Sequence, residues 1–167
     1  MPHALPSPPP REAAPLVAVI EDDPVMGQSV VDWLAVEGYR TRWFRTGGEA
    51  IAALPDAGAD AIICDIRLPD MSGEDVQRAL APRCGGLPIL FVTGFGEIAQ
   101  AVRLMRAGAA DYLTKPFDIE VLLGRLEALL APRWQRSEGL SLGAAPAIVA
   151  VERLLRRAAT VDSTVLI

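Results

Sequence analysis

Five short apolar runs, each of strand length, alternate with segments of helical period between residues 16 and 130. The runs are Leu16 to Ile20, Tyr39 to Phe44, Ala59 to Cys64, Leu87 to Val92 and Asp111 to Leu113. The first, third and fourth are apolar throughout, which suits parallel strands covered on both faces. Helix signals fall between them. Asp23-Pro24 sets an N-cap carboxylate before a proline, opening a helix with Met26, Val30, Trp33 and Leu34 on one side and an end near Gly38. Thr46-Gly-Gly-Glu49 has the form of a capping box for the second helix, and Ser72-Gly-Glu-Asp75, a looser variant of that box, begins the third. The fourth helix shows Ile98, Val102 and Met105 at core spacing, with Arg103 and Arg106 opposite, and stops near Gly108. The fifth starts at Asp118 and repeats Ile119, Leu122, Leu126 and Leu129. Strict alternation of strand and helix predicts right-handed crossovers and a doubly wound α/β sheet.

The flanks read differently. Met1 to Pro15 is proline-rich and has no signal-peptide-type apolar stretch, so a disordered leader on a cytoplasmic protein is expected. Residues 131–145 contain Pro132, Gly139 and Gly143 and read as a linker. From about Pro146 a further helix carries Ile148, Val151, Leu154, Leu155 and Ala158 opposite Glu152, Arg153, Arg156 and Arg157. Val165-Leu-Ile167 has the look of a buried strand, so residues 146–167 are expected to open a second domain. Charged residues interrupt every apolar run well before the roughly 20 residues a bilayer requires, so no membrane attachment is expected. The net charge of -5 gives no general attraction to polyanions, which argues against direct nucleic-acid binding by this chain. Cys64 and Cys84 lack ligand-like spacing and read as reduced structural residues.

In an open parallel sheet, side chains just past the carboxyl ends of the strands converge on one crevice. Glu21 and Asp22 follow the first strand, Asp65 the third, Thr93 the fourth and Lys115 the fifth. Carboxylates so crowded repel one another unless a cation relieves them, and a hard divalent ion is the simple remedy. Asp22, Asp65, the backbone carbonyl near Arg67 and water would satisfy Mg2+, with Glu21 acting through one of the waters. Asp23 is better explained as a helix cap and is only a secondary candidate. The chemistry that fits is phosphoryl transfer to a carboxylate, with Asp65 on the central strand as acceptor. Lys115 and Thr93 would then hold phosphoryl oxygens. Of sixteen basic residues Lys115 is the lone lysine, a compact point charge where the chain otherwise uses arginine. A cis bond to Pro116 would be one way to aim it.

These residues carry a family resemblance. Ile20-Glu-Asp-Asp-Pro24, Asp65-Ile-Arg-Leu-Pro-Asp-Met-Ser-Gly73, Val92-Thr93-Gly94 and Asp111-Tyr-Leu-Thr-Lys-Pro-Phe117 resemble the signature blocks of response-regulator receiver domains, in order and spacing over residues 16–130. The resemblance implies a flavodoxin-like (βα)5 fold with strand order 2-1-3-4-5, a sensor histidine kinase as phosphoryl donor, and Tyr112 as the aromatic that moves with Thr93 on activation. It also implies a signalling domain, not a turnover enzyme. The Asp-Ile-Arg-Leu-Pro block and the stretch from Ser141 to Ile167 are similar to the nitrogen-regulation and dicarboxylate-transport class of sigma-54-dependent activators. In that class the partners would be an AAA+ ATPase domain, sigma-54 RNA polymerase and a second copy of the chain in a homodimer. No G-x-x-x-x-G-K-[ST] occurs in these residues, so ATP hydrolysis is not expected of them.

Three other readings compete. Gly94-Phe-Gly96-Glu-Ile-Ala99 fits the dinucleotide pattern G-x-G-x-x-[GA], but in the fourth unit, whereas that fingerprint belongs to the first turn. Phosphohydrolases resembling the haloacid-dehalogenase family place a second aspartate two residues after the nucleophile, where this chain has Arg67. A pseudo-receiver that only binds partners would have no need of the acidic pair, Thr93 and Lys115 together.

Overall fold

The computed structural model describes residues 14–94 and 98–138. In chain order the elements are β1 (Leu16–Ile20), α1 (Pro24–Val36), β2 (Arg40–Phe44), α2 (Gly47–Ala53), β3 (Ala61–Asp65), α3 (Gly73–Leu80), β4 (Ile89–Thr93), α4 (Ile98–Arg106), β5 (Asp111–Thr114) and α5 (Ile119–Glu138). All strand pairs are parallel, in the order β2-β1-β3-β4-β5. This is the flavodoxin-like sheet that the sequence resemblance implies. The chain divides after Leu130: the sheet lies in Met1–Leu130, and of Ala131–Ile167 the described part is the end of α5.

Strand pleating sorts the core into two faces. Leu16, Ala18, Ile20, Ile62, Cys64, Ile89 and Phe91 join one buried cluster with Ala50 of α2, Val76 and Leu80 of α3 and Leu104 of α4. The intervening Val17, Val19, Ile63, Leu90 and Val92 are also buried, and so are Val30 and Leu34 of α1 and Leu122, Leu126 and Leu130 of α5. Double-sided burial explains why three of the strands are continuously apolar.

Local signals start the helices. Asp23 Oδ1 accepts the amides of Val25 at 2.8 Å and Met26 at 3.0 Å, capping α1 ahead of Pro24. Both arms of the Ser72/Asp75 capping box form at α3. At α2 only one arm does: Thr46 accepts the Glu49 amide, whereas the Glu49 carboxylate takes the Arg45 amide. Asp70, from the loop before α3, supplies further capping by accepting the Gly47 and Gly48 amides at 3.0 and 2.8 Å.

Several sequence expectations need correcting. Trp33 is 48% exposed, and Val102 and Met105 are 44% and 49% exposed. On α4 it is Leu104, fully buried, that packs into the core. Two apolar stripes overlap on this short helix, and periodicity alone cannot say which meets the sheet. In α5 the buried leucines are Leu122, Leu123, Leu126 and Leu130, with Leu129 only partly covered. That helix also runs past Ala131 to Glu138, so residues 131–138 are helical where a linker is expected. Pro132 removes one hydrogen bond without ending the helix, since Arg133, Gln135, Arg136 and Glu138 are good helix formers. The leader through residue 13, the rest of the expected linker and the expected helix and strand of 146–167 lie outside the described residues, as do residues 95–97 of the dinucleotide-like pattern.

Candidate functional site

The strand order reverses direction between β1 and β3, so the crevice beyond their carboxyl ends is the topological switch point of the sheet. Asp65 is the last residue of β3 and Thr93 the last of β4, one step further into the sheet than the sequence pattern suggests. Hydrogen bonds continue the ladders past the strand ends. Glu21 N donates to Phe44 O at 3.1 Å, Ile66 N to Val92 O at 3.1 Å and Lys115 N to Thr93 O at 2.6 Å. The loops bearing the polar groups are therefore tied to the rigid sheet.

Glu21, Asp22 and Asp65 each offer a carboxylate oxygen, all within 4.8 Å of one another. Lys115 Nζ donates to Glu21 Oε2 at 2.6 Å and to Asp65 Oδ2 at 2.5 Å, bridging the first and third strands from the end of the fifth. The other oxygens are held by backbone: Asp23 N donates to Glu21 Oε1 at 3.2 Å and Arg67 N to Asp65 Oδ1 at 2.8 Å. Glu21 and Asp65 are buried, whereas Asp22 is half-buried. Burial pushes the Glu21 carboxyl above its usual range, against the opposing pull of Lys115. For Lys115, burial works against the charge, but the hydrogen bonds to Asp65 and Glu21 outweigh it and hold the ammonium above its ordinary value. The Lys115–Pro116 bond is cis.

Thr93, at the end of β4, is buried, and Tyr112 lies on β5, partly buried against the core and in register with Phe91. Asp23 is exposed and committed to its cap. Cys64 is buried and its thiol is pushed up by burial, as suits an inert core residue.

Three features escape the sequence pattern. The indole Nε1 of Trp43 donates to the Glu21 carbonyl at 2.8 Å, and Arg45 Nη2 donates to the Asp22 carbonyl at 3.0 Å. At Gly73, a Cβ would lie 2.8 Å from the Asp65 carbonyl and 2.9 Å from the Phe91 ring. Gly73 closes the signature block that Asp65 opens, eight residues earlier, but no local rule foretells their contact, since only the folded loop brings them together.

The donor set of Glu21, Asp22 and Asp65 fits a magnesium ion. All donors are hard oxygens, no thiolate or imidazole joins them among the described residues, and oxygens within 4.8 Å of one another can share one ion directly or through a retained water. Three formal negative charges face one ammonium, leaving a surplus that a divalent cation would neutralise.

Comparison with known proteins agrees with this geometry. A family model described as the response regulator receiver domain matches residues 17–127. The probable transcriptional regulatory protein TcrX of Mycobacterium tuberculosis is 40% identical over 114 residues, 68% of this chain and 49% of that protein. The response regulator protein TmoT of Ectopseudomonas mendocina is 37% identical over 126 residues, 74% of this chain and 56% of that protein. The chain thus spans about half the length of the curated relatives it matches. Among solved structures, the signal receiver domain of a putative Luxo repressor protein from Vibrio parahaemolyticus superposes with a TM-score of 0.69 at 29% identity, covering 78% of this chain and 99% of that one. The receiver domain of HemR from Leptospira biflexa gives 0.66 at 29% identity, over 78% of this chain and 98% of that one.

Proposed function

Because the chain belongs to the receiver-domain family of two-component response regulators, we propose that Asp65 is its phosphoacceptor and that Glu21, Asp22 and Asp65, with the Arg67 carbonyl, hold Mg2+ beside it. The observation that carries this reading is one juxtaposition: a carboxylate at the end of the central strand lies in hydrogen-bond contact with the only lysine of the chain and within 4.8 Å of two further carboxylates. When bound, magnesium supplies charge neutralisation for the incoming phosphoryl oxygens.

The chain's own residues do the rest. An Asp65 carboxylate oxygen attacks phosphorus in line while the bond to the donor's histidine nitrogen breaks, giving an acyl phosphate. Lys115 turns from the carboxylate to the phosphoryl group, where a compact ammonium serves as a point charge. The buried Thr93 hydroxyl hydrogen-bonds a phosphoryl oxygen and is drawn inward, and Tyr112 follows it. The donor is a sensor histidine kinase. The output is a population shift on the face of α4, β5 and α5, where Val102 and Met105 offer apolar surface for a dimer or output-domain contact. The domain signals by its phosphorylation state, and the protein works in the cytoplasm.

For the whole protein we propose the output of a sigma-54-dependent activator, with an AAA+ domain beginning in residues 146–167. Its support is the resemblance of Ser141 to Ile167 to that class. Reading the gene beyond codon 167 tests it: a G-x-x-x-x-G-K-[ST] loop soon after supports the proposal, and its absence contradicts it.

Acetyl phosphate with MgCl2 should add one phosphoryl mass to the wild-type chain and none to Asp65→Asn. Equal labelling of the two proteins would overturn the assignment of Asp65.

A further inference from the structure

Two side chains of the edge strand and its following turn grip the backbone that carries the acidic pair. Trp43, on β2, donates its indole N–H to the Glu21 carbonyl at 2.8 Å, and Arg45, just past the strand, donates Nη2 to the Asp22 carbonyl at 3.0 Å. The Glu21 amide is tied to the Phe44 carbonyl of the same strand at 3.1 Å. Each peptide flanking the acidic pair is thereby fixed from β2. The indole itself has little freedom. A Cβ at Gly27 would lie 2.2 Å from Trp43 Cζ2, so the ring is pressed onto the α1 backbone and Gly27 is what admits it.

Neither hydrogen bond is needed to form the sheet or to cap α1, because the β1–β2 ladder and the Asp23 cap do that separately. Their common effect is to fix the direction from which Glu21 and Asp22 face the crevice. We propose that Trp43 and Arg45 are positioning residues for the divalent-ion site, acting through the two carbonyls and not touching the ion. This rests on reading Glu21, Asp22 and Asp65 as that site. Magnesium demands near-octahedral geometry with short bonds, whereas calcium accepts more ligands at looser angles. Loosening the acidic pair therefore penalises magnesium more than calcium.

Trp43→Phe keeps the ring against Gly27 and deletes the N–H. Arg45→Ala removes the second donor at an exposed position where folding is not at stake. Calorimetric titration of the full chain with MgCl2, and separately with CaCl2, should show magnesium affinity lowered about tenfold in Trp43→Phe, in the range usual for groups that orient metal ligands, and a lowered magnesium-to-calcium affinity ratio in Arg45→Ala, which also removes a positive charge beside the acidic pair. Calcium affinity of Trp43→Phe should fall by a smaller factor, and the urea midpoint of Arg45→Ala without divalent ions should equal that of the wild type. Unchanged magnesium affinity in Trp43→Phe, which alters no charge beside the site, would overturn the proposal. So would equal losses for both ions, which would mark a merely structural role. Failure of the wild type itself to take up magnesium would refute the site reading as well, so the two failures are told apart.

Discussion

Lys115 is held between Glu21 and Asp65, and its state reports directly on the crevice. With its folded value raised, the ion-pair contribution to stability is fully present below the ordinary lysine value of 10.5 and is lost as pH rises through the folded value. As the only lysine, it gives a single resonance when lysine alone is isotopically labelled. We expect its NMR titration midpoint above 10.5 in the wild type and lower in Glu21→Gln, whereas a wild-type midpoint at or below 10.5 would contradict the bridged geometry. Gly73 is the second sensitive residue. Its missing side chain leaves room for the Asp65 carbonyl and the Phe91 ring, and neither can withdraw cheaply from the packed sheet edge. Gly73→Ala should cost about 1–3 kcal/mol in urea unfolding, as overpacking does. It should also slow labelling by acetyl phosphate, because the strain falls on Asp65 itself.

At the scale of elements, the strands and helix starts were legible because their causes are local. Buried parallel strands are apolar throughout, and Asp23, Thr46 and Ser72 each accept an amide of the helix they begin. The inward face of a helix is not a local property. Val102 and Met105 lie at core spacing yet remain exposed, while Leu104 carries the contact of α4 with the core. Leu104→Ala should therefore cost about 2–5 kcal/mol of unfolding free energy. Val102→Ala should stay within about 0.5 kcal/mol, as surface changes do. Denaturation of both variants checks this, and a larger cost at Val102 would restore the face that periodicity suggested. The length of α5 was hidden for a related reason. Pro132 is a strong local stop signal, yet helix-favouring neighbours carry the helix through it to Glu138.

For the whole molecule, alternation of strand and helix indicates a parallel doubly wound sheet but leaves the strand order open, and the resemblance supplied it. Glu21, Asp22, Asp65 and Lys115 could be gathered from sequence because strand ends in such a sheet share one edge. The anchoring groups could not. Trp43, Arg45 and Asp70 act on backbone more than 20 residues away in the chain, through contacts that exist only once the sheet is assembled. The central group of the proposed function is Asp65, as the carboxylate that bonds to phosphorus. Borohydride reduction of the chain after treatment with acetyl phosphate and MgCl2 converts an aspartyl phosphate to homoserine, which peptide mass spectrometry locates. Homoserine at position 65 is the expected result; homoserine at 21, 22 or 23 instead, or at no position, would contradict Asp65 as the phosphoacceptor.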